Sequence, residues 1–472
     1  MAVANYNRKI LDLKRWSVLP APAPAQPGVG SFITSGRFKK QRQFYMANAT
    51  THYIYEAEED GWVQIPSGAF GGIFGAGACG ACAAQGPTGS ISAVTGDTIT
   101  TNLSFARSLE SYEIEISAGP GAGQRRTIRH NSIGASSTLT VSAAWTTTPT
   151  TASTFRLLTP RWYVLNAGSV TTGSFRVYDF ATNVWTTLSN TGLPASWITD
   201  GKLVGTPSID SRGPVSFATG TASAGGTSSL TNAAKTWATN QWANFQIRIA
   251  SGTGAGQIRT IASNTATVIT TSTAWAVTPD ATSVYFVEGN DDFLYLIGNA
   301  AVTIYRYQIS TNTWTTLAPI AARAAAPNAA LSAHWVYDET KDVRWPDESN
   351  IINGRRIYSF RGGASAALDY YDIAANTWIS AVAYSPAVET FTAGTKYTYN
   401  NGNLYIQKEV TGRWFRYNFA EQSMIGWSTN IYPSGGASIG DTAFDITESE
   451  TGVTFIYVML NSLTLMMRCM VI

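Results

Sequence analysis

Cysteine is nearly absent from this 472-residue sequence, with only Cys79, Cys82 and Cys469. So few thiols in so long a chain exclude a disulfide-stapled scaffold and suit synthesis in a reducing cytosol. Histidine is as scarce: His52, His130 and His334 lie far apart, in no spacing that metal ligation or nucleophile activation uses. Charged residues make up 13% of the chain, about half the ordinary share. That excludes long solvated helices, which need Glu, Lys and Arg on their outer faces. Net charge is +2, and a nucleic-acid footprint would need clustered basic surface. The basic groups are small: Lys39, Lys40 and Arg42; Arg125, Arg126 and Arg129; Arg355 and Arg356. Long apolar runs are also missing. The stretch 455–472 is interrupted by Asn461, Thr464 and Arg468, so it reads as buried strands and not as a bilayer span. Residues 1–19 carry Lys9, Lys14 and Arg15 with no apolar core behind them, unlike a secretion signal.

Aromatic residues are plentiful, at 12%, with 15 Trp and 22 Tyr, and glycine reaches 42. Together with abundant Thr and Ser, this composition favours many short strands joined by tight turns.

One unit recurs: an apolar strand, a turn, a strand ending in Tyr, a second turn, and Trp seven residues after the Tyr. The copies are Tyr55 with Trp62, Tyr178 with Trp185, Tyr307 with Trp314 and Tyr371 with Trp378; Tyr417 and Trp427 form a looser one. Asn183, Asn312 and Asn376 each stand two residues before the Trp, where a tight hairpin demands a left-handed residue. Asp60-Gly61 fills that role in the first copy. An apolar strand lies upstream each time, at 43–48, 162–167, 293–298, 356–362 and 403–408. A sixth unit is split between the chain ends. Residues 455–471 provide its first strands and then stop before any Trp, while LDLKRWSVLP at 11–20 carries Trp16. Pairing the two ends in one sheet would close a ring and remove its edges.

The unit resembles a degenerate kelch repeat; the usual Gly-Gly after the second strand survives only as Gly362-Gly363. The resemblance implies an all-β, six-bladed β-propeller whose last blade is completed by the N-terminal strand. It implies a fold and no particular activity.

Two Trp spacings, 62 to 185 and 185 to 314, exceed one blade, and the excess segments match each other. AGPGAGQRRTI at 118–128 answers to SGTGAGQIRTI at 251–261, and LTVSAAWTTTP at 139–149 to ITTSTAWAVTP at 269–279. One small β module therefore occurs twice, in consecutive blades. The expected organisation is an N-terminal strand with a Pro-rich linker (1–28), the first blade and the start of the second (29–86), module one (87–159), propeller (160–214), module two (215–288) and the remaining blades (289–472). The modules resemble small β modules of tail, neck and fibre proteins of tailed bacteriophages. That resemblance implies a structural virion protein, made in the host cytoplasm, acting in assembly or attachment with other virion proteins and as a homo-oligomer. A carbohydrate- or receptor-binding propeller is the alternative, ahead of a polysaccharide-degrading enzyme or a cytosolic kelch-type adaptor, whose usual partner domain is not visible in the sequence. The binding propeller's candidate interaction surface is Trp237, Trp242, Arg125, Arg126 and Arg129, with a host-surface glycan as ligand.

No catalytic residue, cofactor or metal site is expected. The Gly-rich turns lack the Gly-Lys-Ser/Thr of a phosphate loop. Cys79-Gly80-Ala81-Cys82 has no second pair of ligands and sits among tiny residues, as a crowded inner strand would. Asp200, Asp291, Asp292, Glu389 and Asp441 could serve a glycosidase, but nothing in the sequence converges them.

Overall fold

The computed structural model describes residues 17–18, 25, 30–36, 42–48, 50–57, 59, 61–70, 78–166, 173–193, 202–204, 216–290, 292–297, 303–319, 333–335, 356–360, 367–373, 375–382, 396–400, 403–408, 413–418, 423–428, 442–447, 453–459 and 466–471. Among them every regular element is a strand. The protein is all-β, with a propeller-like arrangement of small antiparallel sheets.

Six sheets have four strands each. Sheet 1 runs Phe32–Gly36, Arg42–Met46, His52–Glu56 and Gly61–Ile65. Sheet 2 runs Cys79–Ala83, Arg161–Leu165, Phe175–Asp179 and Val184–Thr187. Sheet 3 comprises Lys202–Val204, Phe293–Ile297, Ile304–Gln308 and Thr313–Leu317. Sheet 4 comprises Ala333–Trp335, Arg356–Phe360, Leu368–Asp372 and Thr377–Val382. Sheet 5 comprises Lys396–Asn400, Asn403–Gln407, Trp414–Asn418 and Ser423–Ser428. Sheet 6 is built from Thr442–Thr447, Thr454–Met459 and Met466–Met470, with Ser17–Val18 added as its fourth strand, Ser17 opposite Arg468. Trp16 lies outside the described residues.

First strands of neighbouring sheets stand side by side: sheet 1 beside sheets 2 and 6, sheet 3 beside sheets 2 and 4, and sheet 5 beside sheet 6. Crowding there explains the run of small residues in Cys79–Ala83. A Cβ on Gly80 would stand 2.7 Å from both the Phe32 ring and Trp162 Nε1. Aromatic side chains fill the spaces between sheets. Phe175 meets Tyr307 at 4.8 Å, Phe44 stacks on Trp162 at 5.4 Å, and Tyr55 of sheet 1 lies 6.3 Å from Tyr457 of sheet 6. Such pairs add to the stabilisation already gained by burying the rings.

The Tyr–Trp repeat has a direct structural meaning. In sheets 1 to 4 the two residues are cross-strand partners: Tyr55 with Trp62, Tyr178 with Trp185, Tyr307 with Trp314 and Tyr371 with Trp378. Their ring centroids are 5.0, 5.3, 5.0 and 5.5 Å apart. Asn183, Asn312 and Asn376 are left-handed, with φ of 60, 52 and 47°. Each accepts a hydrogen bond from the Tyr hydroxyl of its own unit, at 2.6, 2.8 and 2.7 Å. The Asn thus supplies both the turn conformation and a partner for a buried phenol. The indole of one sheet reaches the chain leaving the previous one: Trp185 Nε1 donates to Pro66 O at 2.8 Å and Trp314 Nε1 to Ser189 O at 3.1 Å.

The fifth copy departs from the expectation. Met424 stands opposite Tyr417, while Trp427 packs at 5.1 Å from Tyr405 and 6.1 Å from Trp414. Farther from the turn the register shifts by one residue, with Trp427 the extra residue between Gly426, opposite Phe415, and Ser428, opposite Trp414. Met424, seven residues after Tyr417 and fully buried, is therefore the counterpart of the repeat Trp.

Residues 88–158 lie between the first and second strands of sheet 2, and 216–288 between those of sheet 3. The first segment is a closed barrel of Thr88–Thr95, Thr98–Thr101, Glu113–Ala118, Arg125–Asn131, Thr138–Val141 and Thr154–Leu158. The second segment repeats its strand order in a seven-stranded sheet, because the strand equivalent to Thr88–Thr95 is broken into Ser216–Thr221 and Ala224–Gly226. The two segments form barrel one and barrel two, the second opened at the break in that strand.

Candidate functional site: the paired barrels

The Gly-rich turns decide the shape of each barrel. Gly119, Gly121 and Gly123 have φ of 78, 83 and 86°, and Gly252, Gly254 and Gly256 follow with 77, 81 and 89°. Three left-handed residues in alternation need glycine, which has no Cβ to clash. Each turn leads into a strand, Arg125–Asn131 or Ile258–Asn264.

The glutamine after each turn is a staple. Gln124 Nε2 donates to Gly121 O at 3.1 Å and Thr147 O at 2.7 Å, while its Oε1 accepts the amides of Thr146 and Thr147 at 2.7 and 3.2 Å. Gln257 does the same with Gly254 O, Val277 O and the amides of Ala276 and Val277. The arginine two residues after each glutamine completes the joint. Arg126 Nε donates to Ala144 O, Arg259 Nε to Ala274 O, and each guanidinium lies 5.5 Å from a Trp ring, Trp145 or Trp275. The shared Gln, Arg and Trp of the two sequences are thus one structural device that binds turn to loop.

Barrel one is fastened to sheets 1 and 2. The Arg42 guanidinium pairs with Glu56, donates to the Tyr112 hydroxyl and lies 4.5 Å from the Phe180 ring. Arg107 donates to Tyr178 Oη at 2.7 Å and Asn183 Oδ1 at 2.9 Å. Barrel two is fastened to sheets 3 and 4 through Asn244, which is left-handed (φ 66°) like Ser111 at the same place in barrel one. Its Oδ1 accepts from Arg306 at 2.9 Å, and its Nδ2 donates to Ile373 O at 3.2 Å. Phe180, Asn183 and Ile373 belong to turns between third and fourth strands, so both barrels sit on the face that carries those turns.

The barrels also meet each other. A Cβ on Gly123 would stand 2.7 Å from Gly256 N, and one on Gly256 would stand 2.7 Å from Gly123 N. Beside this contact lies a buried chain of charges. Glu115 pairs with Arg125 and, at 3.5 Å, with Arg156; Arg125 reaches Glu288 at 3.3 Å; Glu288 pairs with Arg248 at 2.7 Å. Burial alone would raise the Glu115 carboxyl, but the guanidinium groups of Arg156, Arg125 and Arg248 outweigh it and hold the pKa at about 2. Glu288 is likewise held low by Arg125 and Arg248 against its own burial. Unpaired charges in such a place would be costly, so the network favours this arrangement over any that separates its members.

The structure corrects the proposed interaction surface. Trp237 and Trp242 are 4% and 2% exposed and belong to the apolar core of barrel two. Trp242 N donates to Asn264 Oδ1 as Leu109 N does to Asn131 Oδ1, so a fully buried leucine holds the equivalent place in barrel one. Both Trp rings are enclosed in the core, and neither has a face to offer a sugar. Arg125 belongs to the charge network and Arg126 to its Trp loop; Arg129 is exposed.

His52 is fully buried between Phe70, Trp162 and Trp185, at 5.8, 6.4 and 5.4 Å. Its Nε2 accepts the Gly68 amide at 2.9 Å, and burial lowers its pKa to about 4. It is a neutral core residue. His130 is exposed, and His334 lies in the strand Ala333–Trp335. Burial pushes the Cys79 thiol up to about 12 and Cys82 well above its ordinary value. Asp292 is occupied as a turn residue, accepting from Gln308 Nε2, Ser310 N and Ser310 Oγ at 2.9, 2.7 and 2.6 Å. Asp200, Asp291, Glu389 and Asp441 lie outside the described residues. No group of three or more His, Cys, Asp or Glu that could hold a metal occurs among the described residues. No helix there is long and apolar enough to cross a membrane.

No family model and no curated protein matches the chain. Among solved structures, a chain of one titled "Crystal Structure of Mitotic Checkpoint Complex" aligns with 97% of this chain and 94% of its own length, at 8% identity and a TM-score of 0.34. A likeness that loose has no bearing on function.

Proposed function

We propose that this chain is a structural component of a tailed-bacteriophage virion, in the tail, neck or a peripheral appendage, where it acts in assembly or attachment. In this reading the six sheets are the blades of one kelch-like propeller closed by Ser17–Val18, and the two barrels are insertions in consecutive blades. The observation that supports it is the fixed pair of barrels on one face of the sheets. Each barrel is bolted to two sheets by side-chain hydrogen bonds of Arg42, Arg107 and Asn244, and to the other barrel by the Arg125–Glu288 pair. A rigid projection that spends its polar side chains on internal fastening suits a building part with defined geometry. Its partners would be other virion proteins and further copies of itself, and it would reach the virion from the host cytoplasm.

Mass spectrometry of gradient-purified particles tests this. The chain should be present in stoichiometric amounts in particles and should remain after nuclease and high-salt washing. Absence from particles would remove the proposal.

A further inference from the structure

The pairing face between the barrels carries a selection that neither barrel has alone. Gly123 and Gly256 hold the same place in the two modules and lie against each other. Contact between equivalent positions is the mark of a local two-fold relation. Under that relation the cross-barrel bridge Arg125–Glu288 has a counterpart. Arg125 begins its strand as Ile258 begins the equivalent one. Glu288 ends its strand as Leu158 does, since Leu158 pairs with Glu113 and Glu288 with Gln246, the first residues of equivalent strands. One side of the face is therefore ionic and the other has apolar residues.

We infer that this face recognises the unlike module and rejects the like one. Barrel one against barrel two sets Arg125 with Glu288 and leaves Ile258 with Leu158. Two copies of barrel one would set Arg125 against Leu158 twice. Two copies of barrel two would set Ile258 against Glu288 twice. In either like pairing Arg125 or Glu288 keeps the partner in its own barrel, Glu115 or Arg248, but meets an apolar residue across the face where the unlike pair supplies a countercharge, which disfavours the like pair. Discrimination by a mismatch built against the wrong partner is how specific interfaces commonly work. The partner this surface fits is thus the unlike barrel, supplied here by the same chain, and pairing of like barrels between neighbouring copies is disfavoured. The inference does not depend on the virion reading.

The test uses the full chain and three variants, each replacing a residue by its counterpart in the other module: R125I, E288L and R125I/E288L. Each single variant should lower the melting temperature and reduce hydrogen-exchange protection of the Gly123 and Gly256 amides, by about tenfold or more. The double variant should melt well above the sum of the two single shifts, because both ends of one cross-barrel bridge are removed together. Simple addition of the single shifts would overturn the coupling. In sedimentation velocity over a concentration series, the double variant should associate more than the wild type, since like barrels no longer clash. Identical sedimentation of the two at every concentration would overturn the selectivity. Because both readouts use purified protein, they stand or fall separately from the presence of the chain in particles.

Discussion

Tyr307 donates its hydroxyl hydrogen to Asn312 Oδ1 over 2.8 Å, and the same oxygen accepts the amide of Ser189, in the chain leaving the previous sheet, at 2.9 Å. One side-chain amide thus closes a hairpin, satisfies a buried phenol and ties sheet 3 to sheet 2. Asn312→Gly keeps the left-handed backbone and loses both bonds, so it should destabilise the protein by about 2 kcal/mol. Tyr307→Phe loses one bond and should cost about half as much. Asn312→Ala adds backbone strain at a φ of 52° and should be the worst of the three. Denaturant titration of the three variants checks the order.

The glutamine staples give a charge-sensitive prediction. In Gln257→Glu the group that donated to Gly254 O and Val277 O becomes an acceptor facing two carbonyls. The expected loss is about 2–4 kcal/mol, greater than for an ordinary surface change. Amide exchange in the turn at 252–256 should rise most. Gln124→Glu should behave alike in barrel one, and unchanged exchange in either would argue against the staple.

His52 predicts an acid-sensitive stability. Its folded pKa, about 4, lies below the ordinary 6.5, so the unfolded chain takes up the proton first. The contribution is fully present above about pH 6.5, declines as pH falls, and is exhausted below about 4, for a total of at most about 3 kcal/mol. Protonation also removes the Nε2 acceptor from the Gly68 amide. Denaturant titrations between pH 4 and 8 should show this slope in the wild type and a flatter one in His52→Gln.

The CxxC predicts silence. Cys79, Cys82 and Cys469 are all buried, and the first two have thiols held protonated by burial. The native protein at pH 8 should react with no more than a trace of a thiol reagent, whereas in guanidinium all three cysteines should react. Rapid labelling of Cys79 or Cys82 in the native state would contradict the crowded inner strand described above.

The sequence by itself determined what repeats locally. The Tyr–Trp spacing and the hairpin asparagines were legible because cross-strand partners joined by a tight turn sit a fixed number of residues apart. The twofold module was legible because its Gly, Gln, Arg and Trp all serve one local joint. The fifth unit shows the limit of that logic: Met424, at the usual seven residues from Tyr417, is its cross-strand partner, and a spacing rule tied to Trp passed over it. Only the tertiary structure decided what faces what. Trp237 and Trp242 look in sequence like exposed binding residues and lie in a core, because burial depends on the strands that close over them. Arg125 looks like one of a basic trio and serves as the bridge between the two barrels, because Glu288, distant in sequence, is brought beside it by folding. Periodicity is written along the chain, whereas the pairing of distant surfaces comes from how the folded elements pack.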